Sequence, residues 1–346
     1  MSKKCLVTGG CGFIGSNLTK RLLEEGWQVD VIDDMSSGHL ELLEPAKFRV
    51  VPADLLREFE ESNAIVPDGA ARVIQGDFSH VHILENISEG LYDVIFHQAA
   101  IPRVLFSVEN PSITTHNNVS KTVALLEACV SKEKNGTFSS NVNKVVMASS
   151  SSVYGGPDLL PICEDVEKNP KSPYAWQKST LEDCAKIFGN LYGVDIACLR
   201  YFNVFGPGQY GDSAYSTAVS AWCNNTRESK PLRSDGDGTQ SRDMCYIDNV
   251  VDANILAATS DRSFYGRCYN IACGDRVSNN EILDFFKSNF SNVVSVDAPW
   301  RAGDVMHTQA DITRAKNELG YEPKIRFWEG LEKTITWWGL NEDNEN

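Results

Sequence analysis

No apolar run in this 346-residue chain approaches the roughly 20 positions that a membrane-crossing helix needs. The opening Met-Ser-Lys-Lys-Cys-Leu-Val-Thr-Gly-Gly holds only a brief apolar stretch, too short for the core of a secretory signal, so a cytosolic protein is expected. Positive charge is scarce and unclustered. With 32 Lys and Arg against 47 Asp and Glu, the formal net charge is −15, and a nucleic-acid partner, which requires a basic face, is not expected. Ten cysteines include no Cys-x-x-Cys pair and six histidines show no ligand spacing, so neither a disulfide framework nor a metal site is expected. The cysteines read instead as reduced, mostly buried, small apolar residues. What remains is an ordinary composition, 42% hydrophobic and 23% charged, with material for one large domain or two intimate ones.

Lys4 to Thr8 reads as a short buried strand that runs into Gly9-Gly10-Cys11-Gly12-Phe13-Ile14-Gly15. A helix should follow, because Ile14, Leu18, Leu22 and Leu23 share one face and Gly26 suits the position just past its end. Trp27 to Ile32 makes a second strand, closed by Asp33-Asp34. Glycines let a backbone approach a pyrophosphate, the helix N-terminus offers unpaired N–H groups, and Asp33 can accept hydrogen bonds from both adenosine ribose hydroxyls while repelling a 2′-phosphate. The pattern predicts a dinucleotide site favouring NAD over NADP; the glycines without Asp33 would signify only a tight turn.

The alternation continues. Arg72 to Ile74 precedes Gly76-Asp77, Tyr92 to Phe96 precedes His97-Gln98-Ala99-Ala100, and Lys144 to Met147 precedes Ser149 to Ser152. Among the intervening helical stretches, Thr115 to Ser131 places Val119, Val123, Leu126 and Val130 on one face. Such a chain should form an α/β, doubly wound parallel sheet with helices on both faces and its ligands at the strand C-termini, where Asp77, Ala99 and Ser150 fall. Residues 53 to 70 read as an acidic surface insertion. Asp54 also follows a strand-like run, although Asp77, followed by a helix-length segment and another strand, is better placed.

Tyr174 and Lys178 stand one turn apart in Ser-Pro-Tyr-Ala-Trp-Gln-Lys. Ser172 is a natural N-cap and Pro173 suits the first helical position, which puts Tyr174 in the opening turn with Lys178 on the same face. A helix N-terminus and a nearby ammonium both favour phenolate, so the tyrosine pKa is expected to fall toward neutrality, where it can act as a base.

Together these motifs resemble the extended short-chain dehydrogenase/reductase superfamily in its nucleotide-sugar epimerase/dehydratase branch, over nearly the whole chain. The resemblance rests on Thr8-Gly9-x-x-Gly12-x-x-Gly15, Asp33, Asp77, His97-Gln98-Ala99-Ala100, Asn118, Ser149-Ser150, Tyr174-x-x-x-Lys178, Arg200 to Pro207, Gly236 to Asp243 and Arg301-Ala302-Gly303-Asp304. It implies a Rossmann domain at 1–202 and 243–274, and a smaller C-terminal α/β substrate-binding lobe at 203–242 and 275–346. It also implies NAD held by Gly9, Gly12, Phe13, Ile14, Gly15, Asp33, Ser37, Gly38, Asp77, Phe78, Gln98, Ala99, Ala100, Asn118, Tyr174, Lys178 and Tyr201. Ser150, Tyr174 and Lys178 are then the catalytic set. A UDP-sugar would meet Arg103, Ser149, Ser150, Ser151, Asn203, Arg242, Arg301, Asp304 and Thr308. Guanidinium forks suit a diphosphate, although Arg242 and Arg301 could instead pair with Asp243 and Asp304.

Sugar-nucleotide dehydratases of this branch carry Thr-Asp-Glu where this chain has serines, and decarboxylases keep a glutamate last in the run. Unperturbed serine hydroxyls cannot supply the extra acid and base that eliminating water requires, whereas epimerisation needs none. The resemblance therefore implies a 4-epimerase. Tyr174 takes the 4-OH proton as hydride leaves C4 for the nicotinamide, and the 4-keto sugar turns over and is reduced on its other face. The serine run could also merely cap its own backbone. Thr308 stands where glucose-restricted relatives carry a pocket-closing tyrosine, which leaves room for a 2-acetamido group and implies UDP-N-acetylglucosamine as substrate, with UDP-glucose also acceptable. The Pro102 to Ser107 run departs from the branch pattern, and Arg103 within it keeps UDP-glucuronate or UDP-galacturonate open. Net reduction of a nucleotide ketosugar and a non-catalytic NAD-binding regulator are the rival readings. By the same resemblance, helices around Thr115 to Ser131 and Pro173 to Tyr192 would pair two subunits as a homodimer, although their apolar faces could equally be covered within one chain.

Overall fold

The computed structural model describes residues 3–62, 64–157, 159–211, 217–291, 293–300 and 305–340. Eight strands form one sheet: β1 (Lys4–Thr8), β2 (Gln28–Asp33), β3 (Lys47–Pro52), β4 (Ala70–Gln75), β5 (Val94–His97), β6 (Lys144–Ser150), β7 (Ile196–Tyr201) and β8 (Arg267–Ile271). Their order is β8-β7-β6-β5-β1-β2-β4-β3, and the neighbours from β3 across to β6 run parallel. The flanking helices are α1 (Phe13–Glu24), α2 (Leu56–Glu61), α3 (Val81–Ser88), α4 (Val104–Glu109), α5 (Pro111–Thr115), α6 (Lys121–Ala128) and α7 (Pro173–Tyr192). This is the doubly wound sheet that the alternating pattern predicts.

The core follows from the strand patterns. β1, β2, β4 and β5 are buried along nearly their whole length, as strands covered on both faces must be. On one face Leu6, Ile32, Ile74, Ile95 and Val145 pack with Ile83 and Ile87 of α3, Leu125 and Leu126 of α6, and Leu181 and Phe188 of α7. Outside that cluster α1 packs on β1, β2 and β4, with Leu18 and Leu22 buried and Gly26 in the left-handed conformation just past its end. The cysteines are packed as small apolar residues, all but Cys163 and Cys184 buried.

Two local expectations are corrected. Residues 53 to 70 are no appendage: they include the crossover that takes the chain from the edge strand β3 to its parallel neighbour β4, with Ala53 and Leu56 in the core. Parallel neighbours cannot be joined by a tight turn, so a segment of this length is required. The helix across Thr115 to Ser131 is broken by a π turn at His116–Ser120 and stops at Ala128, after which Val130–Lys132 pairs with Phe138–Ser140 as a short antiparallel ribbon.

The chain divides into two compact units, one of residues 1–150, 172–200 and 251–269, the other of 151–171, 201–250 and 270–346. Segment 151–171, grouped with the Rossmann part in the sequence, thus clusters with the second unit. That unit is built from short strand pairs, Leu232–Asp235 with Ser295–Ala298, Ser241–Arg242 with Val277–Ser278, and Val204–Phe205 with Cys245–Tyr246, together with helices Ala218–Arg227, Asn279–Asn289 and Phe327–Trp337. Ser278 and Glu281 close a reciprocal capping box at the start of Asn279–Asn289.

Candidate active site

The strand C-termini of the first unit deliver Gly9, Asp33, Asp77, Gln98 and Ser150 to one edge of the sheet. Gly9 takes φ +68°, and a Cβ there would lie 2.9 Å from the backbone of Ala99; one at Gly15 would lie 2.1 Å from the Gly9 carbonyl. The turn can therefore close only without side chains, leaving a cradle at the start of α1, where Phe13 and Ile14 are half-buried. Asp33 accepts from Cys11 N–H and from Met35 N–H, both at 2.9 Å. Burial pushes its carboxyl up and those two amides pull it down, with burial prevailing. Each oxygen keeps a lone pair for a ribose hydroxyl. The loop beyond holds exposed Ser37 and buried Gly38, whose absent Cβ would stand 2.7 Å from Asp33 Oδ1. The cradle and carboxylate thus fit a dinucleotide.

Around this cradle, Phe78 is buried with its ring edge-on to His97, Ala99 N–H donates to Thr8 Oγ1 at 3.1 Å, half-buried Ala100 follows, and Gln98 Nε2 donates to Asn254 at 2.9 Å. His97 bridges Thr8 and Thr122 at 2.8 Å each, and burial drives its pKa down to about 3, so the ring is neutral. Asn118, expected as a cofactor ligand, is engaged by its neighbours in the chain. Its Oδ1 accepts from Ile101 N–H at 2.8 Å and from Asn117, and its Nδ2 donates to Ile101 O and Gln177 Oε1. With all four bonds spent, it holds the loop after β5 in place, and the π turn aims it there.

Ser172 caps α7 by accepting from Ala175 N–H at 3.2 Å, Pro173 opens it, and Tyr174 and Lys178 follow on its inward face, both buried. The Ser150 hydroxyl hydrogen-bonds the Tyr174 phenol. The expected fall in the tyrosine pKa is corrected: burial pushes it up to about 12, and the Ser150 bond opposes this only in part. Lys178 Nζ donates to Ala148 O at 2.7 Å and lies 6.0 Å from the Tyr174 ring centre. Burial lowers the Lys178 pKa to about 8, with Cys198 and Glu182 opposing.

Ser149 is also reassigned. Its hydroxyl is buried and donates to Glu182 at 2.6 Å, because alternate residues of β6 face opposite sides of the sheet and only Ser150 faces the phenol. Glu182 in turn receives Arg200 through two bonds of 2.8 and 2.7 Å. Ser107, Gln177, Glu182 and Arg200 were missed as site-building residues. Ser107 Oγ accepts the Tyr174 N–H at 3.1 Å, an amide no intrahelical carbonyl can reach. Glu182 carried a signal, lying one turn beyond Lys178 on the face of Tyr174.

Arg103 is exposed at the N-cap of α4, and Tyr201 is buried at the end of β7. In the second unit, Ser151 opens a 3₁₀ turn. Asn203 adopts a left-handed φ of +30° and donates from Nδ2 to Asp243 O at 2.9 Å and Thr308 Oγ1 at 3.2 Å. Thr308 Oγ1 also accepts Asp243 N–H at 3.2 Å. The carboxylate of Asp243 is wholly buried and takes the N–H groups of Cys273, Gly274 and Ala310 at 2.9 to 3.0 Å. Arg242 Nη1 donates to the carbonyls of Ser241 and Met306. Asn203, Arg242 and Thr308 therefore form one cluster around Asp243. Arg301 and Asp304 lie outside the described residues.

The family model described as the NAD dependent epimerase/dehydratase family matches residues 5–272. The UDP-glucose 4-epimerase of Mycolicibacterium smegmatis is 33% identical over 340 residues, covering 96% of this chain and 97% of that protein. Among solved structures, the UDP-N-acetylglucosamine 4-epimerase of Methanobrevibacter ruminantium M1, in complex with UDP-N-acetylmuramic acid, is 32% identical with a TM-score of 0.83, covering 98% of this chain and 99% of that one. The UDP-glucuronic acid 4-epimerase of Bacillus cereus, in complex with UDP-glucuronic acid and NAD, is 29% identical with a TM-score of 0.78, at 98% and 99% coverage. The chain belongs to the NAD-dependent epimerase/dehydratase family, within the extended short-chain dehydrogenase/reductase superfamily. It is an NAD-dependent enzyme, grouped by these likenesses with the nucleotide-sugar 4-epimerases.

Proposed function

We propose that this enzyme inverts C4 of a UDP-hexose, with UDP-N-acetylglucosamine and UDP-N-acetylgalactosamine as its preferred pair and UDP-glucose and UDP-galactose as slower substrates. The observation that carries the reaction type is the Ser150–Tyr174 hydrogen bond with Lys178 alongside, in a strand end with no carboxylate for elimination. Tyr174 takes the proton of the sugar 4-OH and returns it, while Ser150 hydrogen-bonds O4. Lys178 anchors on Ala148 and keeps an ammonium near the phenol, which its pKa of about 8 allows at neutral pH. NAD, when bound, would supply the hydride acceptor and a positive charge that favours phenolate against the burial raising its pKa. No net redox equivalent is consumed.

Substrate preference rests on Thr308, a compact residue whose hydroxyl is already held by Asn203 and Asp243. Arg242 and Asn203 are the diphosphate ligands in this reading, with Arg301 joining them. A uronic acid is the second reading, supported by the exposed guanidinium of Arg103 and by a UDP-glucuronate 4-epimerase of Thermodesulfobacterium geofontis, 31% identical over 337 residues. Of the two helical stretches expected to pair subunits, 115–131 packs its apolar face into the core of its own chain, so in this reading two copies pair through the outward face of α7, which exposes Ile187 and Leu191.

The test is proton NMR of the anomeric signals after incubation, without added NAD, with UDP-N-acetylglucosamine, UDP-glucose and UDP-glucuronate separately. The galacto epimer should accumulate fastest from the acetamido sugar. Faster conversion of the glucuronate would transfer the assignment to uronic acids, and no conversion of any would end the epimerase reading.

A further inference from the structure

The adenosine end of the cofactor site holds a cation to which the reaction gives no part. Lys121 opens α6 directly after the π turn, and its ammonium donates to the carboxylate of Asp77 and, at 3.1 Å, to the side-chain oxygen of Asn117 one turn earlier. The other Asp77 oxygen takes the N–H and the hydroxyl of Ser79 at 2.8 and 2.6 Å. Gly76 N–H donates to Asp33 O at 2.9 Å, so Asp77 leaves its strand directly beside the carboxylate that fits the ribose. Burial pushes the Asp77 carboxyl up, but the bonds from Lys121 and Ser79 outweigh it and hold the group below the usual carboxylate range. Its side chain nevertheless stays 35% exposed, open to a base, while that of Lys121 is 20% exposed.

Adenine carries an exocyclic amine at C6 as its base-edge donor, and its ring nitrogens accept. An ionised carboxylate only accepts. It therefore selects for that amine and against a 6-oxopurine, which would turn an oxygen toward it. An unrestrained aspartate can rotate away or recruit water. Here Ser79 fills one carboxylate oxygen and Lys121, itself held by Asn117, takes one site of the other, so a single lone pair remains and its direction is fixed.

We propose that Lys121 is a positioning residue for the cofactor, fixing the Asp77 carboxylate as acceptor of the adenine 6-amino group and thereby setting the preference for an adenine over a 6-oxopurine dinucleotide. The inference rests on the reading of Asp77 as a cofactor ligand and takes the part of NAD that it meets to be the adenine base. Because an epimerase reuses the same NAD in every turnover, the same contact slows cofactor loss.

The experiment strips the cofactor and measures binding of NAD and of nicotinamide hypoxanthine dinucleotide by titration calorimetry. Wild type should prefer NAD. Lys121→Met and Asp77→Asn should each lower the NAD-to-hypoxanthine preference about tenfold, a charge-assisted hydrogen bond's worth. The double variant should fall no further than the larger single effect, and Lys121→Arg should retain most of the preference. Equal weakening of both dinucleotides by Lys121→Met would reduce the lysine to general charge balance and overturn the inference, as would no change in either. An intact preference in Asp77→Asn would instead remove the Asp77 reading beneath it.

Discussion

Tyr174 is where physical chemistry and motif pull apart. The motif calls for a phenolate, yet the residue sits in a buried site that holds its proton to about pH 12. A group so placed acts as a base only in a complex that stabilises its anion, which ties proton removal to the presence of cofactor and sugar. Tyr174→Phe should therefore lower kcat by about 10²- to 10⁴-fold while the purified protein still carries its dinucleotide; retention of more than a tenth of the activity would reassign the base. Lys178 gives a test of sign. Its ammonium titrates at about 8 in the folded protein against 10.5 for an unburied lysine, so the unfolded chain binds more protons between those values. Stability from this group thus rises as pH climbs from 8 to 10.5, and below 8 the full cost of burying the charge is present, at most roughly 3 kcal/mol. Lys178→Met should show a smaller gain in urea midpoint than wild type between pH 8 and 10.5, and parallel changes in the two proteins would contradict the placement.

Elements explain why these residues are held so firmly. The β1–α1 turn closes because Gly15 and Gly9 meet without side chains; a Cβ at Gly15 would stand 2.1 Å from a backbone oxygen that has nowhere to go. Gly15→Ala should lower NAD affinity at least tenfold and cost about 1–3 kcal/mol of stability. Calorimetric binding with a denaturation curve checks both, and unaltered values would mean that the turn is looser than described. On α7, Tyr174 and Lys178 occupy the inward face with Glu182, whose paired bonds to Arg200 on β7 and bond from Ser149 on β6 tie the helix to two strands. Removing either partner of such a pair leaves a buried charge uncompensated, so a helix displaced from these strands would lose the match.

At the scale of the molecule, the outward stripe of α7 is the feature that one chain leaves unfinished. Ile187 is 51% and Leu191 63% exposed on a helix whose opposite face is buried. Ile187→Glu with Leu191→Glu should convert the proposed homodimer to monomers in light scattering while leaving circular dichroism unchanged; an unaltered mass would place the contact elsewhere. The division into two units has a related origin. Long, apolar strands make the sheet of the first, whereas the second is assembled from strand pairs two to four residues long, whose weak periodicity left its boundaries illegible.

Much of the first unit was written in local pattern. Periodicity and glycine placement determined the strand, turn and helix order, the acid at the end of β2, and the N-cap that sets Tyr174 and Lys178 on one face, because each depends on residues within a few turns of one another. The tertiary structure alone decided matters that depend on distant partners. It turned Ser149 away from Ser150 toward Glu182, spent the bonds of Asn118 on Ile101 and Gln177, and made 53 to 70 part of a crossover once β3 found β4. It also held the Tyr174 proton in place, since burial is a property of everything packed around a residue and of nothing beside it in the chain.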